Sequence, residues 1–167
     1  MGGVEVPDTY SYLLGDWLVE RAIEDRRSDI SGVFSGTVGI SGVSGVSGVG
    51  VAREAAEAEL PHARYREIGR LRWSGQEMSC ERGLLIAPIG GGRVALSFPD
   101  GRHFVDVDLR QGTCDVRHDC GADTYDISFV VRSESLYEER WQVKGPSKDY
   151  EARARYQRAN TEKTGTA

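Results

Sequence analysis

Cysteine is scarce in this sequence of 167 residues, and long apolar runs are missing. The three cysteines, Cys80, Cys114 and Cys120, include no Cys-x-x-Cys pair. An odd number without such a pair argues against a disulfide framework and is typical of a reducing compartment. No apolar stretch approaches the roughly 20 residues of a membrane span. The N-terminus lacks the basic and apolar regions of a signal peptide, so we expect a cytoplasmic protein without membrane contact.

Positive charge is also in deficit. Lysine and arginine number 21 against 26 aspartates and glutamates, which gives a net charge of −5. Binding to nucleic-acid phosphates requires clustered basic residues. The arginines between Arg64 and Arg72 are interleaved with glutamate and apolar residues, as is typical of the solvent face of a strand. We therefore expect no nucleic-acid partner.

The sequence is rich in alternation, and the clearest example is the stretch LLGDWLVERAIED from Leu13 to Asp25. A large aromatic just after a tight glycine turn, as in Gly15-x-Trp17, can plug one end of a closed sheet. Arg21 then falls on the face where apolar residues are expected. That conflict predicts a barrel with a polar cavity.

Alternation continues to the end of the chain. It predicts strands over residues 16–24, 31–40, 62–73, 76–87, 93–98, 103–109, 113–118, 124–132, 136–143 and 150–156. Eight to ten antiparallel strands with short turns predict an all-β fold, a single up-and-down β-barrel, because closure removes exposed edges. The length favours one domain. We expect a flexible N-terminus (1–9), a barrel domain (10–158) and a disordered tail (159–167).

A short helical turn is predicted at Tyr10–Leu14, with Thr9 or Ser11 as its cap. The repeat SGVSGVSGVG from Ser41 to Gly50 lacks the third glycine of a dinucleotide fingerprint and the βαβ context. It predicts a flexible or weakly strand-like loop, with a mobile lid over the barrel mouth as the alternative. Residues 52–60 favour a helix by propensity or a strand extension by context.

Gly15-x-Trp17 on a first strand, successive hairpins and an arginine-rich last strand resemble the calycin group, which includes lipocalins, fatty-acid-binding proteins and nitrobindins. In lipocalins a basic residue packs over the first-strand tryptophan, and Arg153 or Arg155 would match it. The segments LLGDWLVERAIEDRRS, YREIGRLRW, HDCGADTYDISF and WQVKGPSKDY resemble an actinobacterial family of unknown function, domain-of-unknown-function family 6314. This resemblance implies a barrel and assigns no catalytic residue.

Strand parity turns several charged side chains inward, namely Arg21, Glu67, Arg82, His103 and Glu139. Burying an unpaired charge costs several kcal/mol, so these groups should pair or bind something. One interpretation is a structural network, with arginines forked onto glutamates and tyrosine hydroxyls completing the bonds. The other is a cavity whose two arginines hold an anionic or enolisable small molecule.

For the second interpretation we predict a ligand-binding set of Arg21, Phe34, Tyr65, Trp73, Arg82, His103, Tyr125, Trp141 and Tyr150. Glu67 is the first candidate for a general acid–base residue and Glu139 the second, because desolvation in an aromatic pocket raises a carboxyl pKa. A lone histidine among apolar residues, such as His103, is more often a satisfied core residue than a catalyst.

Metal and cofactor sites are disfavoured. Cys114, His118 and Cys120 share strand parity, but a fourth ligand is missing. Haem would need His118 or His103 facing a large apolar pocket, which the arginine-rich interior opposes. No nucleophile elbow is present. We expect no cofactor and no metal.

Two functions fit the predicted interior: an intracellular barrel that carries or sequesters a small organic molecule, and a cofactor-independent cyclase or isomerase of secondary metabolism acting on a natural-product intermediate. A third option is a structural or partner-binding barrel with a filled core, which would lack a cavity of about 300 Å³. The sequence leaves open whether the barrel forms a homodimer.

Overall fold

The computed structural model describes residues 2–43 and 62–160. They form one short helix, α1 (Thr9–Leu13), and ten strands in the order β1 (Gly15–Asp25), β2 (Ile30–Val43), β3 (His62–Trp73), β4 (Gln76–Gly90), β5 (Arg93–Ser97), β6 (His103–Val107), β7 (Thr113–Cys120), β8 (Asp123–Ser133), β9 (Leu136–Lys144) and β10 (Asp149–Arg158). The predictions for most of 41–50 and for 52–60 lie outside the described residues. So does the predicted tail beyond residue 160.

The strands form one antiparallel sheet in the order β6-β5-β4-β3-β2-β1-β10-β9-β8-β7. Strands that follow one another in sequence are paired, except β6 and β7, and β1 also pairs with β10, which curls the sheet into a nearly closed barrel. The outermost strands β6 and β7 lie side by side, and the His118 ring bonds to the Phe104 carbonyl oxygen across them at 3.0 Å. The prediction of an all-β up-and-down barrel is confirmed.

A glycine pair allows the tight curvature between β2 and β3. Gly36 lies opposite Gly69, and a Cβ on either would overlap a backbone carbonyl of the neighbouring strand. The Phe34 ring covers both glycines from inside the barrel. Glycines at alternate inward positions therefore bring the two strands together and leave a shelf for this aromatic ring.

One end of the barrel is covered by α1 and closed by aromatic rings. Trp17 is fully buried, and its Nε1 donates to the Leu13 carbonyl oxygen at 2.9 Å. The Trp17 ring meets Tyr137 edge-on at 4.9 Å, and Tyr137 stacks on Tyr156 at 4.4 Å. The predicted role of Trp17 as a plug agrees with these contacts.

The basic residue over Trp17 is Arg158, whose guanidinium carbon lies 4.1 Å from the ring centroid. The expectation that Arg153 or Arg155 fills this position is wrong. Trp17 pairs with Arg158 in the β1–β10 register. Arg153 and Arg155 have the opposite parity and are exposed on the outer face.

The cap of α1 is Asp8, whose carboxylate accepts a hydrogen bond from the Ser11 N–H at 2.8 Å. The prediction of Thr9 or Ser11 is therefore wrong by one to three positions. An aspartate in extended backbone satisfies a free N–H of the first helical turn. Thr9 is instead fully buried and accepts a hydrogen bond from the Leu109 N–H at 2.9 Å.

The segment before α1, which we predicted to be flexible, runs along the barrel. The Val4 N–H donates to the Val131 carbonyl oxygen at 2.8 Å, and the Val6 N–H donates to that of Arg110 at 3.2 Å. The Val6 side chain is buried. These contacts make the segment part of the covered end, while the domain boundaries themselves stay a prediction.

A β-bulge corrects the predicted parity of β6. Leu96 of β5 pairs with Val105 and Ser97 pairs with His103, so Phe104 is an extra residue. Phe104 and Val105 are both buried as a result, and His103 is exposed. The prediction that His103 lines the interior is wrong: its Nε2 lies 2.8 Å from an Asp106 carboxylate oxygen on the outside.

Candidate functional site

A hydrogen-bonded ion pair crosses the middle of the barrel. Two Arg21 nitrogens donate to the two Glu67 carboxylate oxygens, at 2.9 and 2.7 Å. Arg21 Nη2 also donates to the Tyr156 hydroxyl at 2.9 Å, and the Tyr65 hydroxyl donates to Glu67 at 2.8 Å. Cross-strand parity places all four side chains inside the barrel. The hydrogen bonds around Arg21 and Glu67 therefore match the structural-network interpretation.

Arg82 is the second interior arginine and is less completely bonded. Its Nη2 donates to the Tyr65 hydroxyl at 3.1 Å and lies 3.6 Å from a Glu67 oxygen. The side chain keeps 33% of its surface exposed, yet Nε is buried and has no hydrogen-bond partner in the described chain. The guanidinium carbon lies 5.4 Å from the ring centroids of Tyr65 and Trp141. Arg82 therefore retains an unused donor.

Glu67 is an ionised partner rather than a poised acid. Burial raises its pKa, but the hydrogen bond from Arg21 and the charges of both arginines outweigh that effect. The net pKa of Glu67 is therefore below its ordinary value of 4.5. The expectation of a raised pKa at this residue is wrong, because its arginine partners stabilise the charged form.

Glu139 has the opposite environment. Its Oε2 accepts hydrogen bonds from Trp141 Nε1 and from the Tyr156 hydroxyl, both at 3.1 Å, and both donors are neutral. No ion pair to Glu139 exists among the described residues. Burial raises the pKa of Glu139, and the more distant charges of Arg82 and Arg21 only partly oppose that rise. Of the two predicted acid–base residues, Glu139 is the one with the required pKa direction.

The barrel centre is nearly filled. One internal cavity has a volume of about 30 Å³ and is lined by Tyr65, Arg82, Phe104, Glu139, Trp141 and apolar neighbours. That volume corresponds to a single water molecule. A ligand inside the closed barrel, as the sequence led us to expect, does not fit this conformation. A centre without a cavity of about 300 Å³ agrees instead with the third option, a barrel with a filled core.

The wall of the barrel is incomplete beside Arg82. Strand β4 pairs with β5 only from Leu85 onward, so over Gln76–Leu84 its outer edge has no strand partner in the described chain. Across this gap lie the ends of β7 and β8. The inward face of β4 is therefore reached from the side.

A pocket of about 220 Å³ opens at this gap, and we call it the side pocket. Its walls are mostly aromatic, with Phe104 at 5.0 Å from Phe98, 4.9 Å from His118 and 5.7 Å from Trp141 between ring centroids. The lining residues are Arg82, Gly83, Leu84, Phe98, Phe104, His118, Cys120, Tyr125 and Trp141. The side pocket thus combines flat apolar walls with one guanidinium.

Two walls of the side pocket are held in orientation. The His118 Nδ1 carries its hydrogen, because its partner at 3.0 Å is the Phe104 carbonyl oxygen, which only accepts. Lys148 Nζ donates to the Tyr125 hydroxyl at 2.8 Å and pairs with Asp123 at 2.7 Å. These bonds fix the side chains that face Arg82 from β7 and β8.

The structure brings together most of the predicted site. One band of the interior runs from the hydrogen-bonded ion pair to the side pocket. It contains Arg21, Tyr65, Glu67, Arg82, Glu139, Tyr125 and Trp141. Phe34 is buried below Arg21, 5.1 Å from ring centroid to guanidinium carbon. Trp73 packs over Gly32 near the strand end, and half-buried Tyr150 does not line the side pocket.

Sequence reasoning missed Phe98, Phe104 and Tyr156. Strict alternation from His103 would place Phe104 on the outer face, because the bulge that turns it inward has no signature in the alternation. Tyr156 lies on the predicted inward face of β10 and links Arg21 to Glu139. Within residues 2–43 and 62–160, no group of three or more His, Cys, Asp or Glu residues could hold a metal ion. Cys114, His118 and Cys120 do not form such a group.

A larger depression of about 730 Å³ is lined mainly by outer-face residues of β1, β2, β8, β9 and β10, and it also reaches the interior residues Arg21 and Glu139. Its arginines are largely paired: Arg132 with Glu138, and Arg140 and Arg153 with Glu151. These pairs occupy the charges that a ligand would need. The side pocket, with its unused donor, is the better candidate site.

The sequence matches a family model described as a family of unknown function (DUF6314) over residues 13–158. The chain belongs to this family. The match covers every strand of the barrel, so the side pocket lies within the family domain. No curated protein sequence is similar enough to this chain to count as a relative.

Three solved structures are similar to this chain to different degrees. The S-type phycobiliprotein lyase CPES from Guillardia theta is 10% identical, with a TM-score of 0.61 over 92% of each chain. A de novo designed fluorescence-activating β-barrel is 15% identical (TM-score 0.44; 92% of this chain, 100% of that chain). A DUF3598 protein of unknown function from Nostoc punctiforme is 10% identical (TM-score 0.40; 95% of this chain, 51% of that chain). The first likeness supports the calycin-like fold.

The described part of the chain contains no helix with the length and hydropathy of a membrane-spanning segment.

Proposed function

We propose that this protein binds a small, flat organic molecule in the side pocket, with Arg82 as the anchor for an anionic or enolisable group. One observation carries the proposal: Arg82 lines a pocket walled by aromatic rings, and its buried Nε has no acceptor in the described chain. Leaving a buried donor without a partner costs about 1–3 kcal/mol. A ligand oxygen placed there would remove that cost and gain a charge-assisted hydrogen bond.

The volume limits the size of the ligand. Pockets for drug-sized ligands usually enclose about 300–1,000 Å³, and the side pocket encloses about 220 Å³. A molecule of one or two fused rings suits this space. The rings would lie against Phe104 and Trp141, whose planes are inclined by 35° to each other.

We keep the cytoplasm as the proposed location. All three cysteines are free, and Cys120 is exposed at the rim of the side pocket. Free thiols persist in reducing compartments.

The test is native mass spectrometry of protein purified from its own host. We expect the wild type and the Arg72→Met control, which alters an exposed arginine on the outer face of β3, to retain a small molecule. We expect Arg82→Met to lose it, because the anchor is gone. Retention by all three variants contradicts the role of Arg82. A wild type that retains nothing, even after incubation with host extract, contradicts ligand binding.

A second candidate function is a cofactor-independent cyclase or isomerase acting on a natural-product intermediate. The observation that favours it is Glu139, a carboxyl with neutral hydrogen-bond donors and a raised pKa one side chain away from the side pocket. A carboxyl with a raised pKa holds its proton more readily and can act as a general acid or base towards a substrate. The Guillardia theta neighbour carries the name of a lyase, but fold alone does not choose between binding and catalysis.

The two functions separate in the Glu139→Gln variant. For an enzyme, the retained molecule should be converted by the wild type, and the variant should bind it without converting it. A wild type that returns the molecule unchanged over long incubation, with the same affinity in both proteins, supports simple binding and contradicts catalysis.

A further inference from the structure

We infer that the ligand of the side pocket is a singly charged aromatic anion, and that Glu139 holds a proton while this anion is bound. The inference rests on the proposed function, because it concerns the same pocket. It names the charge of the ligand and the group that balances it.

Hydrogen bonds are unevenly distributed among the two arginines and two glutamates of the interior. Glu67 accepts two bonds from Arg21 and lies 3.6 Å from Arg82 Nη2. Glu139 receives its bonds only from an indole and a phenol. One carboxylate therefore serves two arginines, and the second arginine lacks a full counter-ion.

The net charge of this cluster of two arginines and two glutamates depends on whether Glu139 is protonated. With Glu139 ionised, two arginines and two glutamates cancel. With Glu139 protonated, the cluster carries one positive charge, and a monoanion on Arg82 restores neutrality. Buried charge is stable only when it is balanced, so a neutral ligand or a dianion fits less well.

The internal cavity and the side pocket share a wall. Arg82, Leu84, Phe104 and Trp141 line both the internal cavity and the side pocket. Glu139 lines the internal cavity and the larger depression, but not the side pocket. An anion on the Arg82 Nε would approach Glu139 from the other side of this shared wall. Its negative charge disfavours ionisation of Glu139 and so favours proton uptake.

Among the carboxyl groups of this network, Glu139 is the one whose pKa is raised by burial, and Glu67 is the one whose pKa is lowered by its arginine partners. The groups around Glu139 come from five strands, namely Arg21 on β1, Tyr65 and Glu67 on β3, Arg82 on β4, Tyr137 on its own strand β9 and Tyr156 on β10. Burial lowers the pKa of both arginines, but nearby tyrosines and glutamates outweigh this effect and raise it above the ordinary value. Burial also raises the pKa of the tyrosines, to about 12 for Tyr156.

His118, Cys120, Tyr125 and Lys148 lie around the side pocket itself, so the experiment needs a control for them. His118→Gln is that control, because it keeps a side-chain N–H for the Phe104 carbonyl oxygen and removes the imidazole.

The test is isothermal titration calorimetry with 2-naphthoate, 2-naphthamide and naphthalene-2,6-dicarboxylate between about pH 5.5 and 8.5. Repeating each titration in two buffers of different ionisation enthalpy counts the protons taken up. We expect 2-naphthoate to bind best, to draw up to one proton and to weaken by at most about tenfold per pH unit as the pH rises. The neutral amide should show neither effect.

In Glu139→Gln we expect 2-naphthoate to bind with no proton uptake and no pH dependence, while His118→Gln keeps both. Unchanged pH dependence in Glu139→Gln, or equal binding of amide, monoanion and dianion, overturns the inference and leaves the proposed function standing. Failure of every probe to bind the wild type counts against the proposed function itself.

Discussion

The covered end of the barrel and the side pocket are both built from aromatic rings around one arginine, but the two arginines differ in their hydrogen bonding. At the covered end Arg158 lies over Trp17 and donates to the carbonyl oxygens of Leu14 and Tyr12, at 2.7 and 2.5 Å. In the side pocket Arg82 lies over Trp141 and leaves Nε without an acceptor. The satisfied arginine belongs to a structural plug, and we propose that the unsatisfied one marks the place for a ligand.

The two interior glutamates repeat this contrast. Glu67 is held by arginines, which stabilise its charge, whereas Glu139 is held by neutral donors next to the unsatisfied arginine. The interior therefore combines both interpretations of the sequence. A structural network occupies the half around Arg21, and the half around Arg82 is incomplete.

The largest effect is expected from the plug. Trp17→Ala should lower the free energy of unfolding by about 3–5 kcal/mol, since it removes a fully buried ring. Trp141→Ala should cost clearly less, because Trp141 is only half-buried. Urea unfolding of both variants measures the difference. Equal losses would contradict the division into a structural end and a binding side.

The two carboxylates should differ next. Glu67→Gln should lower the free energy of unfolding by about 3 kcal/mol, because it leaves buried arginine charge without its partner. Glu139→Gln should change it by less than about 1 kcal/mol, since an amide oxygen can accept the same hydrogen bonds from Trp141 and Tyr156. We would measure both by urea unfolding near pH 6. A larger loss in Glu139→Gln would reverse the assigned roles.

A smaller effect is expected on the outer face, at Glu151. Hydrogen bonds from Arg140 and Arg153 lower the pKa of Glu151 from 4.5 to about 2, with burial acting in the opposite direction. Its contribution to stability is therefore present above about pH 4.5 and lost as the pH falls towards 2. We expect the stability gap between wild type and Glu151→Gln to shrink by about 1 kcal/mol between pH 6 and pH 3, after allowance for solvent screening.

The matched control is Glu138→Gln, whose pair with Arg132 is partly exposed. Its gap to the wild type should change little with pH, because exposed pairs contribute little. If Glu151→Gln and Glu138→Gln behaved alike, the arginine cluster around Glu151 would be no stronger than an ordinary surface pair.

The smallest effect is expected at His103, which the bulge in β6 turns outward. His103→Ala should leave both 2-naphthoate affinity and the free energy of unfolding within about 0.5 kcal/mol of wild type. Calorimetry and urea unfolding check this. A loss of affinity would restore His103 to the site and contradict the observed register.

Alternation in the sequence was enough to predict the barrel and the inward direction of Arg21, Glu67, Arg82 and Glu139. Side-chain parity is a local property of each strand, and the hairpins here keep it along most of their length. It failed at β6, where an extra residue shifts the register.

The side pocket was not predictable from the sequence. It depends on where β5 stops pairing with β4 and on how closely β6 approaches β7, which are relations between distant segments. The preference of Arg21 for Glu67 over Glu139 is likewise decided in three dimensions. Parity places both carboxylates inside and says nothing about which guanidinium reaches which oxygen.

The most direct measurement of the central claim is a crystal structure of the complex with 2-naphthoate. We predict a carboxylate oxygen within about 3 Å of Arg82 Nε, with the rings between Phe104 and Trp141. A naphthoate bound instead in the outer depression beside Arg153 and Arg155, or at the strand end beside Trp73, would contradict the claim that the unsatisfied arginine marks the site.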